Sequence, residues 1–381
     1  MKKFLVFIIL SISFTTLFAQ DSDELLKKLV EKNILTQSEA DELKNPTKDK
    51  NTKSSQTVEK VRNFFNSPYL QLGGNGQLMY RYSDVDQIHH DFKAKNLFIS
   101  VNGKLNDSFR YGFLLEMVNP SVQEFWGEWT VVKQFNLKAG QFKSPFTMES
   151  QLVPATLETA SYSRTISNLV GYAGEDDVLK KQNNKNNFGR DAGVMISGEL
   201  ISIQAHNLLQ YSVGLFQGTG VTTGETNNGK DFAAMLLLQP VKGLRIGGGA
   251  YFGQATYAKT GNNAISDHVR DRWYISADYK SDRFYARSEW INGNDGVIDK
   301  EGIYGLGLYY LIPQKLNILG KVDYYNKNKD INSEVIDYTI GLNYYFYPMC
   351  RVQLNYTYSD YSKKWDAPNS NVVFAQLQIA F

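Results

Sequence analysis

Cysteine is almost missing from this chain: Cys350 is the single one in 381 residues. An intramolecular disulfide framework is therefore excluded, and no cysteine near the N-terminus offers a lipid-anchoring thiol. Long apolar runs are missing too. After the first twenty residues nothing approaches the roughly 18 consecutive apolar residues of a spanning helix, and the mean hydropathy is −0.37. A helical membrane bundle is excluded. A membrane β-barrel is not, because its strands alternate and their hydropathy averages away. Net charge is also lacking. Removing Lys2 and Lys3 takes the 41 basic residues to 39, equal to the 39 acidic ones. Bulk electrostatics thus predicts neither nucleic-acid binding nor a general attraction for anions, and any selectivity must come from where charges sit. What is abundant is aromatic: 24 Tyr, 22 Phe and 5 Trp. That content argues against disorder.

Residues 1–19 have the pattern of an export signal. Lys2 and Lys3 form the basic end, Phe4 to Phe14 the apolar core, and Ala19 can precede the cut. Residues 20–46 have helical periodicity. Leu25, Leu26, Leu29 and Val30 make one stripe, Thr36 and Glu39 have capping-box spacing, and Pro46 closes the segment. This module is expected to be periplasmic, as a plain amphipathic helix pair or as a coupling or oligomerisation element. Residues 47–68 are expected to be a polar linker.

From residue 69 to 381 the period is two. Arg351, Gln353, Asn355 and Thr357 alternate with Val352, Leu354, Tyr356 and Tyr358. Sixteen such segments occur, many of about the 9–11 residues a tilted strand needs to cross a bilayer. Their connections alternate long and short, with long ones at 83–90, 119–122, 144–188, 218–230, 255–267, 292–301, 327–333 and 362–370. The short ones include turns after Gly198 and at Pro240, Pro313 and Pro348. The expected fold is all-β, a 16-stranded antiparallel transmembrane barrel with long external loops and short periplasmic turns.

The lipid face is read from alternation. Val373, Ala375, Leu377, Ile379 and Phe381 are expected outside, with Gln376 and Gln378 inside. Tyr304, Leu306, Leu308 and Tyr310 are expected outside as well. The pairs Tyr309-Tyr310, Tyr324-Tyr325 and Tyr344-Tyr345 suggest interfacial girdles. The terminal Phe381 has the character of the signal read by outer-membrane assembly machinery.

Sixteen strands leave an aqueous lumen unless something narrows it. The 45-residue segment 144–188 carries Phe146, Met148, Leu152, Val153, Leu157, Ile166, Leu169 and Val170, unusual for a solvated loop. It is expected to fold into the pore. Enzymatic signals are poor. Gly224 to Lys230 has Walker-type spacing, but Asp231 replaces the hydroxyl residue and a strand follows. His89, His90, His206 and His268 show no metal-ligand spacing. No cofactor is expected.

Several segments resemble the phosphate-selective porin O and P family. They are Leu137 to Phe146 (Leu-Lys-Ala-Gly-Gln-Phe-Lys-Ser-Pro-Phe), Ser163-Arg164, Asn168-Leu169-Val170 and Gly189 to Val194 (Gly-Arg-Asp-Ala-Gly-Val). Tyr211 to Gly218, Gly229 to Ala234, Pro240 to Leu244 and the Leu35 to Asp41 leader extend the likeness over nearly the whole mature chain. The resemblance implies a usually trimeric outer-membrane channel, among lipid and lipopolysaccharide, with an inward-folded third loop and basic residues along an anion path. Lys143, Arg164 and Arg190 match its motifs. Alternation adds Arg245, Arg270, Arg272 and Arg287 as lumen-facing cations. Met235 stands where the family commonly has arginine, and no dense arginine run occurs. Acidic neighbours (Glu289 by Arg287, Asp278 by Arg272, Asp323 by Lys321) leave open whether these cations form an anion ladder or transverse ion pairs. The expected solutes are small anions such as phosphate. A porin for neutral solutes such as sugars, with Trp126, Tyr251 and Tyr274 as stacking rails, and a plugged structural or adhesive barrel remain the alternatives.

Overall fold

The structure, a computed structural model, describes residues 66–171, 177–182, 189–203, 206–258 and 265–381. The expected signal (1–19), helical segment (20–46) and linker up to residue 65 lie outside them. A two-residue strand, β1 (Asn66–Ser67), precedes sixteen long ones. These are β2 (Leu70–Ser83), β3 (His90–Asn106), β4 (Phe109–Glu116), β5 (Ser121–Val132), β6 (Phe135–Lys143), β7 (Arg190–Ile203), β8 (His206–Phe216) and β9 (Asp231–Val241). The second half is β10 (Leu244–Ala258), β11 (Ile265–Lys280), β12 (Phe284–Asp295), β13 (Ile298–Ile312), β14 (Leu316–Asn326), β15 (Glu334–Tyr347), β16 (Cys350–Tyr361) and β17 (Ser370–Ala380).

Each long strand pairs antiparallel with its neighbours in sequence, and β17 closes on β2, from Val372 opposite Ser83 to Ala380 opposite Asn75. The sheet has no free edge, so every strand's backbone is satisfied inside the ring, the condition for strands in hydrocarbon. Closure is completed by the last residue. Phe381 and Gly74 exchange backbone hydrogen bonds of 3.0 and 3.2 Å. Any Cβ on Gly74 would meet the Phe381 ring at 2.7 Å, so glycine is the residue that lets the terminal aromatic lie flat on the wall.

Two connections depart from expectation. Residues 292–301 are not a long loop, since β12 runs to Asp295 and β13 resumes at Ile298. Gly296, at φ 71°, makes the reversal, and Lys300 ties back to Asp295 at 2.6 Å. The turn expected after Gly198 comes later, because β7 continues to Ile203.

The last strand has the expected faces: Gln376 and Gln378 are buried inside, whereas Leu377, Ile379 and Phe381 are exposed. Strand β13 reverses its expectation. Tyr304, Leu306 and Leu308 point inward and are buried, Tyr310 packs against the same interior cluster, and Gly305 and Gly307 face outward with nothing within 4 Å of an added Cβ. The physical reason is that the lumen is largely filled, so apolar side chains there meet protein rather than water. The tyrosine pairs split in the same way, with Tyr309 and Tyr344 exposed on the outer face and Tyr325 buried inside.

Candidate functional site

Residues 144–171 and 177–182, between β6 and β7, fill much of the lumen. They contain the short helices α1 (Met148–Gln151), α2 (Arg164–Ile166) and α3 (Asp177–Gln182), with a π-turn at Ser167–Gly171. Thr147 starts α1 by accepting the Ser150 N–H at 3.3 Å. The segment binds the wall by two different chemistries.

Against β6–β11 the contact is apolar. Phe142, Phe216, Ala233 and Tyr251 point inward and form one buried cluster with Phe146, Ile166, Leu169 and Val170 of the loop; Met195 and Met235 pack against it. The Phe146 ring meets Tyr274 and Tyr251 edge-on at centroid distances of 4.9 and 6.1 Å. Tyr251 and Tyr274 are therefore part of a core rather than stacking rails, which corrects that expectation for these two rings. Met235 is the residue type this dry interface needs, whereas an unpaired arginine would be costly there.

Against β12–β17 and β2–β3 the contact is polar. Glu289 accepts the N–H groups of Met148 and Glu149 at 2.6 and 2.7 Å, and Asp323 accepts from Arg164 N–H and Thr165 Oγ1. Residues 154–160 run under a rim of amides and cations. Gln77 donates to Pro154 O (3.1 Å), Gln378 to Ala155 O (3.0 Å), Arg351 to Leu157 O (2.6 Å), and Asn343 and Gln353 to Glu158 O. Ala160 N–H in turn donates to Asn355. A loop inside a barrel has backbone groups that water no longer serves, and this rim satisfies them.

The seven cations singled out in the sequence all lie on the inner side or on the loop, and each is engaged. Lys143 donates to Ser150 O and Leu152 O; Arg164 pairs with Asp337 at 2.7 Å and Arg190 with Glu124 at 2.7 Å. Arg245 makes a two-pronged bond to Asp278, the acid expected beside Arg272. Arg272 pairs instead with Asp295 at 2.7 Å and reaches Leu169 O, and Arg270 lies over the Tyr251 ring. Arg287 binds Glu158, Glu149 and the Tyr304 and Tyr285 hydroxyls. Arg190, Arg270 and Arg272 do line one small void with Asp191, but at about 20 Å³ it has room for a single water. Lys143, Arg164, Arg272 and Arg287 thus join loop to wall, whereas the Arg190 and Arg245 pairs join one wall strand to another.

Open space lies elsewhere. A cavity of about 870 Å³ separates the loop (Pro154, Leu157, Ser161, Tyr162) from the inner wall of β2–β5 (Met79, Lys93, Asn96, Gln123), with Lys95 also at its edge. A smaller cavity of about 290 Å³ reaches Arg81, Lys321 and Thr357 and shares Ser161, Tyr162 and Ser167 with it. Strict alternation along β3 would put Lys93 and Lys95 on the side of Leu97 and Ile99, facing lipid. A register shift between Gln77 and Leu78 leaves Lys95 without a partner on β2 and sets Lys93 opposite the inward Met79, so both lysines line the cavity. The break in alternation at Lys95-Asn96 is the sequence signal that locates them.

A second inward element was also missed. Residues 218–221, between β8 and β9, are buried. Asp191 accepts the Gly218 and Gly220 N–H groups, and Val221 and Thr222 close one side of the larger cavity. Gly218 and Gly220 have φ of 83° and 78°, which only glycine adopts freely.

A closed barrel with an inner loop and a side cavity defines the class of outer-membrane β-barrel channels. Residues 70–381 match the phosphate-selective porin O and P family, and the chain belongs to it. Membership places the barrel in the outer membrane of a Gram-negative bacterium and points to a channel rather than an enzyme. No curated protein matches the chain. Solved structures of the same fold include an anion-selective porin from Comamonas acidovorans (11% identity, TM-score 0.61, covering 82% of this chain and 99% of that one). OprB of Pseudomonas putida is similar (13%, TM-score 0.62, 85% and 97%). So is a trimer form of OmpT from Vibrio cholerae (13%, TM-score 0.54, 81% and 99%).

Proposed function

We propose that the protein is a porin for passive diffusion of small anions, phosphate among them, with the 144–188 loop as its constriction. The observation that carries this reading is the asymmetry of the lumen. The loop is packed on or bonded to β9–β17, β2 and Lys95 of β3, and an open cavity separates it from the rest of the β3–β5 wall, where two lysines line the space. An ammonium beside a water-filled path replaces part of an anion's hydration, and weak sites in series let the ion leave again. The homotrimer, the passage of Phe381 through assembly machinery and a lipopolysaccharide-facing rim belong to the same proposal, supported by the trimeric neighbour and the terminal aromatic. The anion-selective neighbour supports the sign of the selectivity. A second reading, a plugged barrel, is favoured by the density of loop–wall hydrogen bonds.

Planar-bilayer recording of the full chain separates the two. Discrete conductance steps with a reversal potential on the anion side of a KCl gradient are expected. A silent barrel would establish the plug, and a cation-side potential would overturn the anion path.

A further inference from the structure

The cavity beside β2–β5 mixes apolar surface with cations. Met79, Pro154, Leu157, Val221 and Tyr162 supply the first and Lys93 and Lys95 the second, with Asn96, Ser121 and Gln123 among its neutral polar residues. Among the described residues no arginine lines it. Lys95 donates to Ala160 O and, at 3.3 Å, to Gln376 Oε1, both neutral oxygens. Its charge is oriented by these bonds and not cancelled by them. Lys93 is half exposed and pairs with Asp91 at 2.5 Å. The acid in the lining, Glu116, accepts the Leu97 and Val118 N–H groups on Oε1 (3.1 and 2.9 Å), and its Oε2 is sealed from solvent. Glu116 thus spends one oxygen on the backbone at the β3–β4 connection.

We propose that the preferred solute of this cavity is an organic anion with an apolar body, an aromatic carboxylate above all. Its carboxylate lies against Lys95, with Lys93 at the mouth, and its ring lies on Met79, Leu157 and Val221. This rests on the anion-porin reading and narrows it. Inorganic phosphate keeps its hydration unless several donors replace it together, the task of guanidinium forks, and here the arginines are bound to carboxylates and carbonyls instead. Phosphate also gains nothing from apolar lining, whereas a ring removes its own and the cavity's apolar surface from water.

The test is block of the chloride current through the full-length channel in planar bilayers, with benzoate, inorganic phosphate or zwitterionic phenylalanine added to one side. Benzoate is expected to halve the current at a concentration about tenfold below phosphate, a difference of one decade in apparent affinity. Lys95→Gln should raise the half-blocking concentration of both anions, and Lys95→Arg, by adding a guanidinium fork, should restore block and narrow the gap to phosphate. Met79→Gln should raise the benzoate concentration several-fold more than that of phosphate. Phosphate acting at or below the benzoate concentration in the unmodified protein would overturn the proposal while leaving an anion porin standing. Phenylalanine acting below benzoate would overturn it in favour of a zwitterion. A silent or cation-selective barrel would remove the porin reading, and this proposal with it.

Discussion

Replacing Arg287 by alanine is expected to release the inner loop and raise the single-channel conductance, with a loss of about 3–5 kcal/mol of stability, the usual cost of breaking a buried ion pair from one side. The Arg287 guanidinium holds Glu158 at 2.9 Å and Glu149 at 3.3 Å, and Glu149 holds the N–H and hydroxyl of Ser163. One side chain of β12 thus ties together three points of the loop. Burial alone would push the Glu149 carboxyl up. The Arg287 guanidinium, with Lys321 and the Ser163 N–H, outweighs burial and holds it below the usual carboxylate range. A depressed folded value means that this contribution is complete at neutral pH and is lost only as the pH falls through that value. Arg287→Lys keeps the charge without the fork and should lose less. Unchanged conductance and unfolding midpoint in Arg287→Ala would show that the loop is held elsewhere.

Phe146→Ala is the second large effect, expected to cost about 3–5 kcal/mol, as large-to-small substitutions of buried phenylalanine do. Phe146 is 1% exposed and lies edge-on between two wall tyrosines, so its removal opens a cavity on the side where loop and wall are dry. Chemical unfolding of the reconstituted protein reads the cost, and Phe146→Leu should recover roughly half of it. A loss under about 1 kcal/mol would mean that the site collapses around the gap. The two variants report on different halves of the attachment, one ionic and one apolar.

Strand positions were legible because alternation and turn residues are local. β16, from Cys350 to Tyr361, coincides with the segment that period two marks, and the Gln376/Leu377 faces are as read. Alternation separates two faces without saying what each touches. In β13 both readings were chemically available, and the outward Gly305 and Gly307 are explicable only once the loop makes the lumen a core. Phe146, Ile166, Leu169 and Val170 are buried against the wall, as apolar residues that solvent would not tolerate. The loop's polar partners were not legible, since Gln77, Gln378 and Arg351 come from strands far away in sequence. Lys93 and Lys95 were hidden by the register shift, and the 218–221 fold by glycines that look like any turn. The pairing of the named cations depended on cross-strand height, which alternation does not give: Arg245 sits opposite Asp278 in the β10–β11 register, whereas Arg272 reaches Asp295.

Thiol accessibility in the open channel tests most directly whether solutes pass through the cavity between the loop and the β2–β5 wall. Cys350, the native thiol, is buried, so the background should be insensitive to a charged methanethiosulfonate reagent. With the reagent added during recording, Ser121→Cys, at the cavity, should be modified and the current reduced, while Met235→Cys, on the dry wall, should be untouched. Rapid block at Met235→Cys with none at Ser121→Cys would put the path on the opposite side of the loop and contradict the account.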